Sequence, residues 1–487
     1  MTKENGSSQY KRLFKDTVLF AVSDFASKCI TFLLLPLYTS VLLTDEYGKL
    51  DLLNNMVNLI YPLLTLAIVE ATIRFALDKN EKPNEVLSTA LLFIIVGTLL
   101  LVLISPLSVY FGDTFSNYWI AFVLLYNGYS LRMLFSYYCR GRKKNVVFAI
   151  QGILQTLIVV ILNILFLVVF KWGLNGYLIA TIASYYIATI FIIIAGKFLP
   201  DILNFKINKR LMKDMLKFSL PMIPTLISWW FINSMDKYYI IAMVGMGASG
   251  VYAVAHKIPT ILQTVTQIFN KAWQISSVDI YESDNREQKY TNIYTYFCFI
   301  CMAGCLVLNS FSELIATILF AKEYFEAWSY VPVLLVSAVF SSMAGFLTQI
   351  YTSAKKTTVL FTSTVVGAVV NAILNYIFII LFGTIGAAYG TLISFMIVWL
   401  VRDIRLKKIV KLKMNYFKLI ISIIILIFQA LIINYVEQYY IICSIVCIFI
   451  FMAFNYDTMK SVISFTLNAI RKKKSVGVKK IAESEKK

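Results

Sequence analysis

The chain has 487 residues, of which 59% are hydrophobic and only 15% charged, with a formal net charge of +19. Soluble domains run nearer roughly 45–50% apolar and about 25% charged, so water is not the main solvent of this fold. The positive excess does not point to nucleic acid, because the lysines and arginines sit between apolar blocks rather than on one basic face with stacking aromatics.

Spanning a bilayer takes roughly 20 apolar residues, and in lipid each backbone group must be bonded within its own segment, so every long apolar run reads as a helix. A polar, basic segment (1–17) precedes the first run, which is too long for a signal-peptide core and lacks a small-residue cleavage site; it is retained as a span. In chain order the expected spans are 18–43, 48–77, 86–111, 117–139, 146–170, 174–198 and 217–244, then 251–278, 291–320, 327–351, 357–382, 385–405, 415–435 and 439–454. The fold class is all-α, a polytopic membrane protein of about 14 transmembrane helices. Pro36, Pro62, Pro221, Pro224 and Pro259 fall in spans one, two, seven and eight, which should bend there. The seven cysteines, Cys29, Cys139, Cys298, Cys301, Cys305, Cys443 and Cys447, lie in apolar stretches and show no ligand spacing with the single histidine, His256; they read as packing residues.

With the N-terminus placed in the cytoplasm, 36 of the 45 Lys and Arg fall in cytoplasmic segments or at the cytoplasmic ends of spans, six within the body of the spans, and only Lys49, Lys171 and Lys322 in external loops or at their edge. Cytoplasmic loops of membrane proteins are rich in Lys and Arg, so both termini are expected in the cytoplasm. The chain also repeats itself. Lys143-Lys144 opens a span containing Asn163, as Lys355-Lys356 opens one containing Asn375, both at an offset of 212. After a two-residue gap, GLNGYLIATIAS (173–184) matches GTIGAAYGTLIS (383–394). An even repeat of six spans runs the same way through the bilayer in both copies, giving two six-helix lobes related by a pseudo-twofold axis along the membrane normal, followed by two C-terminal helices. The expected organisation is a cytoplasmic tail (1–17), an N-lobe of spans one to six (18–198), a cytoplasmic linker (199–216), a C-lobe of spans seven to twelve (217–405), spans thirteen and fourteen (406–460) and a basic cytoplasmic tail (461–487). A cleft between such lobes is where alternating-access carriers bind cargo.

Six cations interrupt the spans: Lys28, Arg74, Arg132, Lys237, Lys257 and Lys271. At roughly 2.5–3.5 kcal/mol each, facing lipid would cost on the order of 15–20 kcal/mol, so most must face protein or a wet cavity. Three have local acids that would neutralise them: Asp24 for Lys28 and Glu70 for Arg74 at i, i+4, and Asp236 beside Lys237. Arg132, Lys257 and Lys271 have none, and the surplus of cations over the span acids suits an anionic cargo such as a lipid diphosphate. Gly245, Gly247 and Gly250 spell G-x-G-x-x-G but follow no strand, and no G-x-x-x-x-G-K-[ST] occurs; dinucleotide binding and a P-loop ATP motor are both excluded. Nor does any acid/base or metal constellation point to an enzyme.

The stretches LLPLYTSVLLTDEYGKLDL (34–52) and GVYAVAHKIPTILQTVTQIFNKAWQIS (250–276) resemble the Wzx-type oligosaccharide flippases of the polysaccharide transporter family, in the MOP flippase superfamily that also holds multidrug exporters and lipid II flippases. The resemblance implies a flippase, not an enzyme, that carries an undecaprenyl-diphosphate-linked oligosaccharide across the bacterial cytoplasmic membrane by alternating access. It also implies a monomer surrounded by membrane lipids and working beside a glycan polymerase and assembly proteins. By position, Lys28, Arg74 and Lys257 are similar to basic sites that such flippases present to the cavity, with Arg132 and Lys271 as further candidates for the diphosphate. No cofactor is expected beyond sodium or a proton as coupling ion. Lipid II flippase relatives hold sodium among spans seven, eleven and twelve, where this chain offers Asp236, Asn371, Asn375 and Thr391; the departure is that Asn375 is neutral where an acid would strengthen the site. The rival readings are a multidrug exporter, whose cationic cargo would favour an acidic cavity, and a lipid II flippase.

Overall fold

The computed structural model describes residues 28, 30, 32–78, 80–354, 356–435 and 439–464. The basic tails as far as residue 27 and from residue 465, together with Asp24, Cys29 and Lys355, lie outside the described residues, and so does the expected Asp24–Lys28 pair. The described residues are helical with no strand among them.

The first helices are α1 (Leu35–Val41), α2 (Thr44–Leu64), α3 (Ile68–Leu77), α4 (Pro83–Leu103), α5 (Asp113–Gly141), α6 (Asn145–Asn163) and α7 (Gly173–Ala195). A short α8 (Leu199–Leu203) and the amphipathic α9 (Lys209–Ser219) lead to α10 (Ile223–Met243), α11 (Met246–Ala255) and α12 (Lys257–Tyr281). The chain continues through α13 (Arg286–Ser310), α14 (Ser312–Leu319), α15 (Val331–Ser353), α16 (Thr358–Phe382), α17 (Thr384–Leu406), α18 (Tyr416–Tyr435) and α19 (Tyr440–Phe454). Among the described residues nine helices are long and apolar enough to cross a membrane, and two more spans do so as bent pairs. Every expected span has helix on it.

Local chemistry sets the boundaries. Proline begins α4, where its missing N–H is not needed. Asn208 caps α9 by accepting from the Arg210 and Leu211 amides. Glu46 reaches back to the Leu43 amide at the start of α2, and Asp45 pairs with Lys49 one turn on. The expected proline bends are real in span two, where α2 and α3 meet at 61° just after Pro62. Leu66 and Ala67 take left-handed φ values of 49° and 51° there, a conformation that costs a non-glycine residue about 1 kcal/mol or more. Span eight breaks at His256, between α11 and α12 and three residues before Pro259. Span seven breaks at a short 3₁₀ turn, Leu220–Met222, that holds Pro221.

The repeat reappears in backbone detail. Gly173 and Gly383 both open their helices at positive φ, 53° and 69°. Three residues on, a Cβ at Gly176 would press on Phe166, and one at Gly386 would fall on Phe378, the residue equivalent to Phe166 at the offset of 212.

The helices gather into two compact units. The first comprises the described residues up to Lys257, with Ile315–Ala327 and Phe361–Ser394. The second comprises Ile258–Leu314, Trp328–Leu360 and the described residues from Phe395. Its core is an aromatic stack: Phe346 lies 4.6 Å from Trp273, 4.9 Å from Tyr294 and 5.0 Å from Phe297, ring to ring. Gln429 of α18 ties itself to α13 by donating to Leu306 O and Ser310 Oγ.

Candidate functional site

The expected sodium residues come together inside the first unit. Asp236 on α10 is only 1% exposed. Its Oδ2 accepts from the Tyr252 hydroxyl at 2.9 Å and from Thr391 Oγ1 at 3.3 Å, and His256 Nε2 stands 3.6 Å away. Asn371 Nδ2 then donates to Thr391 Oγ1 at 3.4 Å, and Asn375 Nδ2 to Asn371 Oδ1 at 2.9 Å. Asn371 and Asn375 share one face of α16, as their i, i+4 spacing requires. Asn375 Oδ1 is buried with no hydrogen-bond partner, and a Cβ at Gly390 would fall 2.5 Å from it. A carboxylate, a hydroxyl, amide oxygens and a phenol are the hard oxygen donors that an alkali cation takes, so the residues fit such an ion.

Lys237 does not pair with the adjacent Asp236. Its Nζ instead bonds Asp51 of α2 at 2.8 Å, and Asp236 uses Oδ1 to accept the Lys237 amide. Asn55 supports the pair by donating to Asp51 Oδ2 at 2.7 Å while its own Oδ1 accepts from Ser234. Neighbours on a helix point about 100° apart, which is why the acid next in sequence is the wrong partner.

The remaining cations are scattered. Lys28 is half-buried at the start of the described chain. Arg74 is exposed, stacks over the Phe218 ring at 4.7 Å and makes no ion pair with Glu70. Lys271 is exposed on α12 in the second unit. Lys257 is half-buried just after the His256 break, within electrostatic reach of Tyr177. Arg132 is half-buried between two rings, with its guanidinium carbon 5.5 Å from the Tyr129 centroid and 5.4 Å from that of Tyr185. Neither Lys257 nor Arg132 meets a carboxylate among the described residues.

Also in the first unit, the backbones of α2 and α11 approach closely at glycines. A Cβ at Gly48 would fall on Met246 O, and one at Gly250 would fall on Thr44 O. The contact is reciprocal, since Thr44 precedes Gly48 by four residues as Met246 precedes Gly250. Beside it, Tyr324 donates to Leu42 O at 2.9 Å, and Thr39 Oγ1 both donates to Leu319 O and accepts the Ala321 amide. These are the loops that charge sorting assigns to the outside.

The polysaccharide biosynthesis protein family matches residues 13–274. The chain belongs to that family. Two solved structures share the fold of this family member at 15% identity. One is described as the inward-facing conformation of a multidrug resistance MATE family transporter of the MOP superfamily, with a TM-score of 0.66 over 80% of this chain and 95% of that one. The other is described as lipid II flippase MurJ in an inward closed conformation, with a TM-score of 0.65 over 91% of this chain and 100% of that one. No curated protein matches. By its apolar helices the family member is a multi-pass membrane protein, and it shares the fold of the two structures so described.

Sequence reasoning missed Tyr252 and His256 as partners of Asp236, and Asp51 as partner of Lys237. It also missed the rings around Arg132. Tyr129 was findable, one turn before Arg132 on the same helix; Tyr185, on another helix, was not.

Proposed function

We propose that the chain translocates an undecaprenyl-diphosphate-linked oligosaccharide, such as a capsule, O-antigen or teichoic-acid-like repeat unit, across a bacterial cytoplasmic membrane by alternating access, with both termini in the cytoplasm. The observation that carries this reading is the charge imbalance inside the first unit. Asp51 is taken by Lys237 and Asp236 by Tyr252, Thr391 and His256, while Arg132 and Lys257 sit half-buried and make no ion pair with a carboxylate among the described residues, Glu70 included. Such cations persist in a membrane where an anionic cargo compensates them, and a diphosphate is such a cargo; an organic cation is not. Arg132, Lys257 and Lys28 are the groups proposed to hold it; Arg74 and Lys271 stand at exposed positions. The polysaccharide biosynthesis family supports a glycan on that lipid.

Asp236, Thr391, Asn371 and Asn375 would hold sodium as the coupling ion, with a proton on the same carboxylate as the other species these donors accept. A bound cation supplies the charge that ties α10 to α16 and α17; the residues themselves bind and orient.

Deleting the chain tests the reading. A lipid-linked oligosaccharide should accumulate on the inner leaflet, and Arg132→Gln or Lys257→Gln should reproduce the accumulation while the protein still reaches the membrane. A charge-assisted contact is worth about 1.5–3 kcal/mol, so cargo binding should weaken about tenfold or more. Accumulation of lipid II instead, or drug sensitivity with no glycolipid accumulated, would replace the reading.

A further inference from the structure

Arg132 is part of a larger group. Tyr61 of α2, Tyr129 of α5 and Tyr185 of α7 form a row of rings, with centroids 5.3 Å apart for the first pair and 6.0 Å for the second, both edge to face. The Arg132 guanidinium lies over the last two. Glu70 of α3 stands within electrostatic reach of Tyr61, Tyr129 and Tyr137. Three buried polar atoms in this group lack a hydrogen bond of good geometry among the described residues: the Tyr61 hydroxyl and Glu70 Oε2, which face each other, and Arg132 Nε. Tyr61 is only 4% exposed, so water in the membrane's aqueous margin does not readily serve its hydroxyl. Tyr129, Tyr137 and Tyr185 are half-buried and keep surface open beside them.

Buried polar atoms are nearly always paired, and a cluster that leaves a guanidinium edge open beside a loosely met carboxylate–phenol pair is built for a ligand or stores cost. The mixture selects the ligand. Ring faces take the C–H face of a pyranose, while the carboxylate accepts from sugar hydroxyls and the phenol and guanidinium donate to them. A diphosphate alone has no use for Glu70 or for three rings, and an aliphatic lipid tail has no use for the polar atoms. The group lies on the stretch of α3 and α5 that leads to loops 78–82 and 142–144, which charge sorting puts on the cytoplasmic side where cargo enters.

We propose that Tyr61, Tyr129, Tyr137 and Tyr185, with Glu70, form the subsite for the sugar next to the diphosphate, and that Arg132 sits at the junction between the two. The assignment rests on the glycolipid reading above.

The test uses the purified full chain and two probes: bare undecaprenyl diphosphate, and the glycolipid that accumulates when the chain is deleted. The parent should bind the glycolipid more tightly. Tyr129→Leu and Tyr185→Leu should each weaken glycolipid binding about three- to tenfold more than they weaken binding of the bare lipid, and retained binding of the bare lipid shows that the variants are folded. Glu70→Gln, which keeps the shape, should do the same. Retention of the parental preference by all three variants overturns the subsite and leaves the glycolipid reading standing. Equal loss for both probes also overturns it. A parent that binds neither probe overturns the glycolipid reading, and the subsite with it.

Discussion

Replacing Thr44 and Gly247 together by cysteine should lock the outer end of the first unit shut. A Cβ built at Gly247 lies 3.8 Å from the Thr44 Cβ, at the mean separation of about 3.8 Å found in disulfides. The bond should therefore form without backbone movement, beside the reciprocal crossing at Gly48 and Gly250. If that crossing parts each time cargo leaves, a covalent tie across it stops the cycle, because the few kcal/mol a cargo contributes cannot break it. Bond formation is read on a non-reducing gel after free thiols are blocked, and glycan export is measured before and after reductant. Export should fall to background in the oxidised double variant and recover on reduction, with each single variant near parental. Gly250→Ala pushes the other way, since its methyl would press on Thr44 O and cost the closed arrangement about 1–3 kcal/mol. A disulfide that forms completely while export continues at the parental rate would refute the reasoning. Failure of the bond to form in a well-folded protein would refute the geometry.

Sodium should raise the melting temperature of the purified chain relative to potassium or choline, by the equivalent of about 1.4 kcal/mol at ten times Kd, and Asp236→Ala should abolish the difference; a gain that survives the substitution removes Asp236 as the anion. Lys237→Gln or Asp51→Asn alone should cost about 3 kcal/mol by leaving a buried charge unpaired, and the double variant should cost clearly less than the sum in a double-mutant cycle; additive losses would deny the pair. Single cysteines at Gly112, Gly247 or Gly383 should label from outside with a membrane-impermeant thiol reagent, and those at Asn80, Asn208 or Lys356 only after permeabilisation; a single reproducible reversal would sink the topology.

The spans and the family motifs were legible in the sequence because each depends on residues near one another in the chain, and the repeat because it is a match between two such local runs. An apolar run of sufficient length has no other stable form in lipid, so helices α4, α6 and α16 follow from composition alone. Their equivalent positions in the repeat mark Gly173 and Gly383, and both take positive φ. The joint placement of Asn371 and Asn375 is a property of one helix. Only the tertiary structure decided which helix each polar group would meet. It gave Lys237 to Asp51 across α2 and α10, left Asp236 to Tyr252 and Thr391, and set Tyr61 and Tyr185 against the helix that carries Arg132. In a membrane that choice falls to packing, since lipid is as apolar as the side chains and exerts no pull on one helix face over another. A buried charge pairs with whatever the closest backbone approach brings to it, and at α2 and α11 that approach is fixed by two glycines, Gly48 and Gly250, lying 202 residues apart.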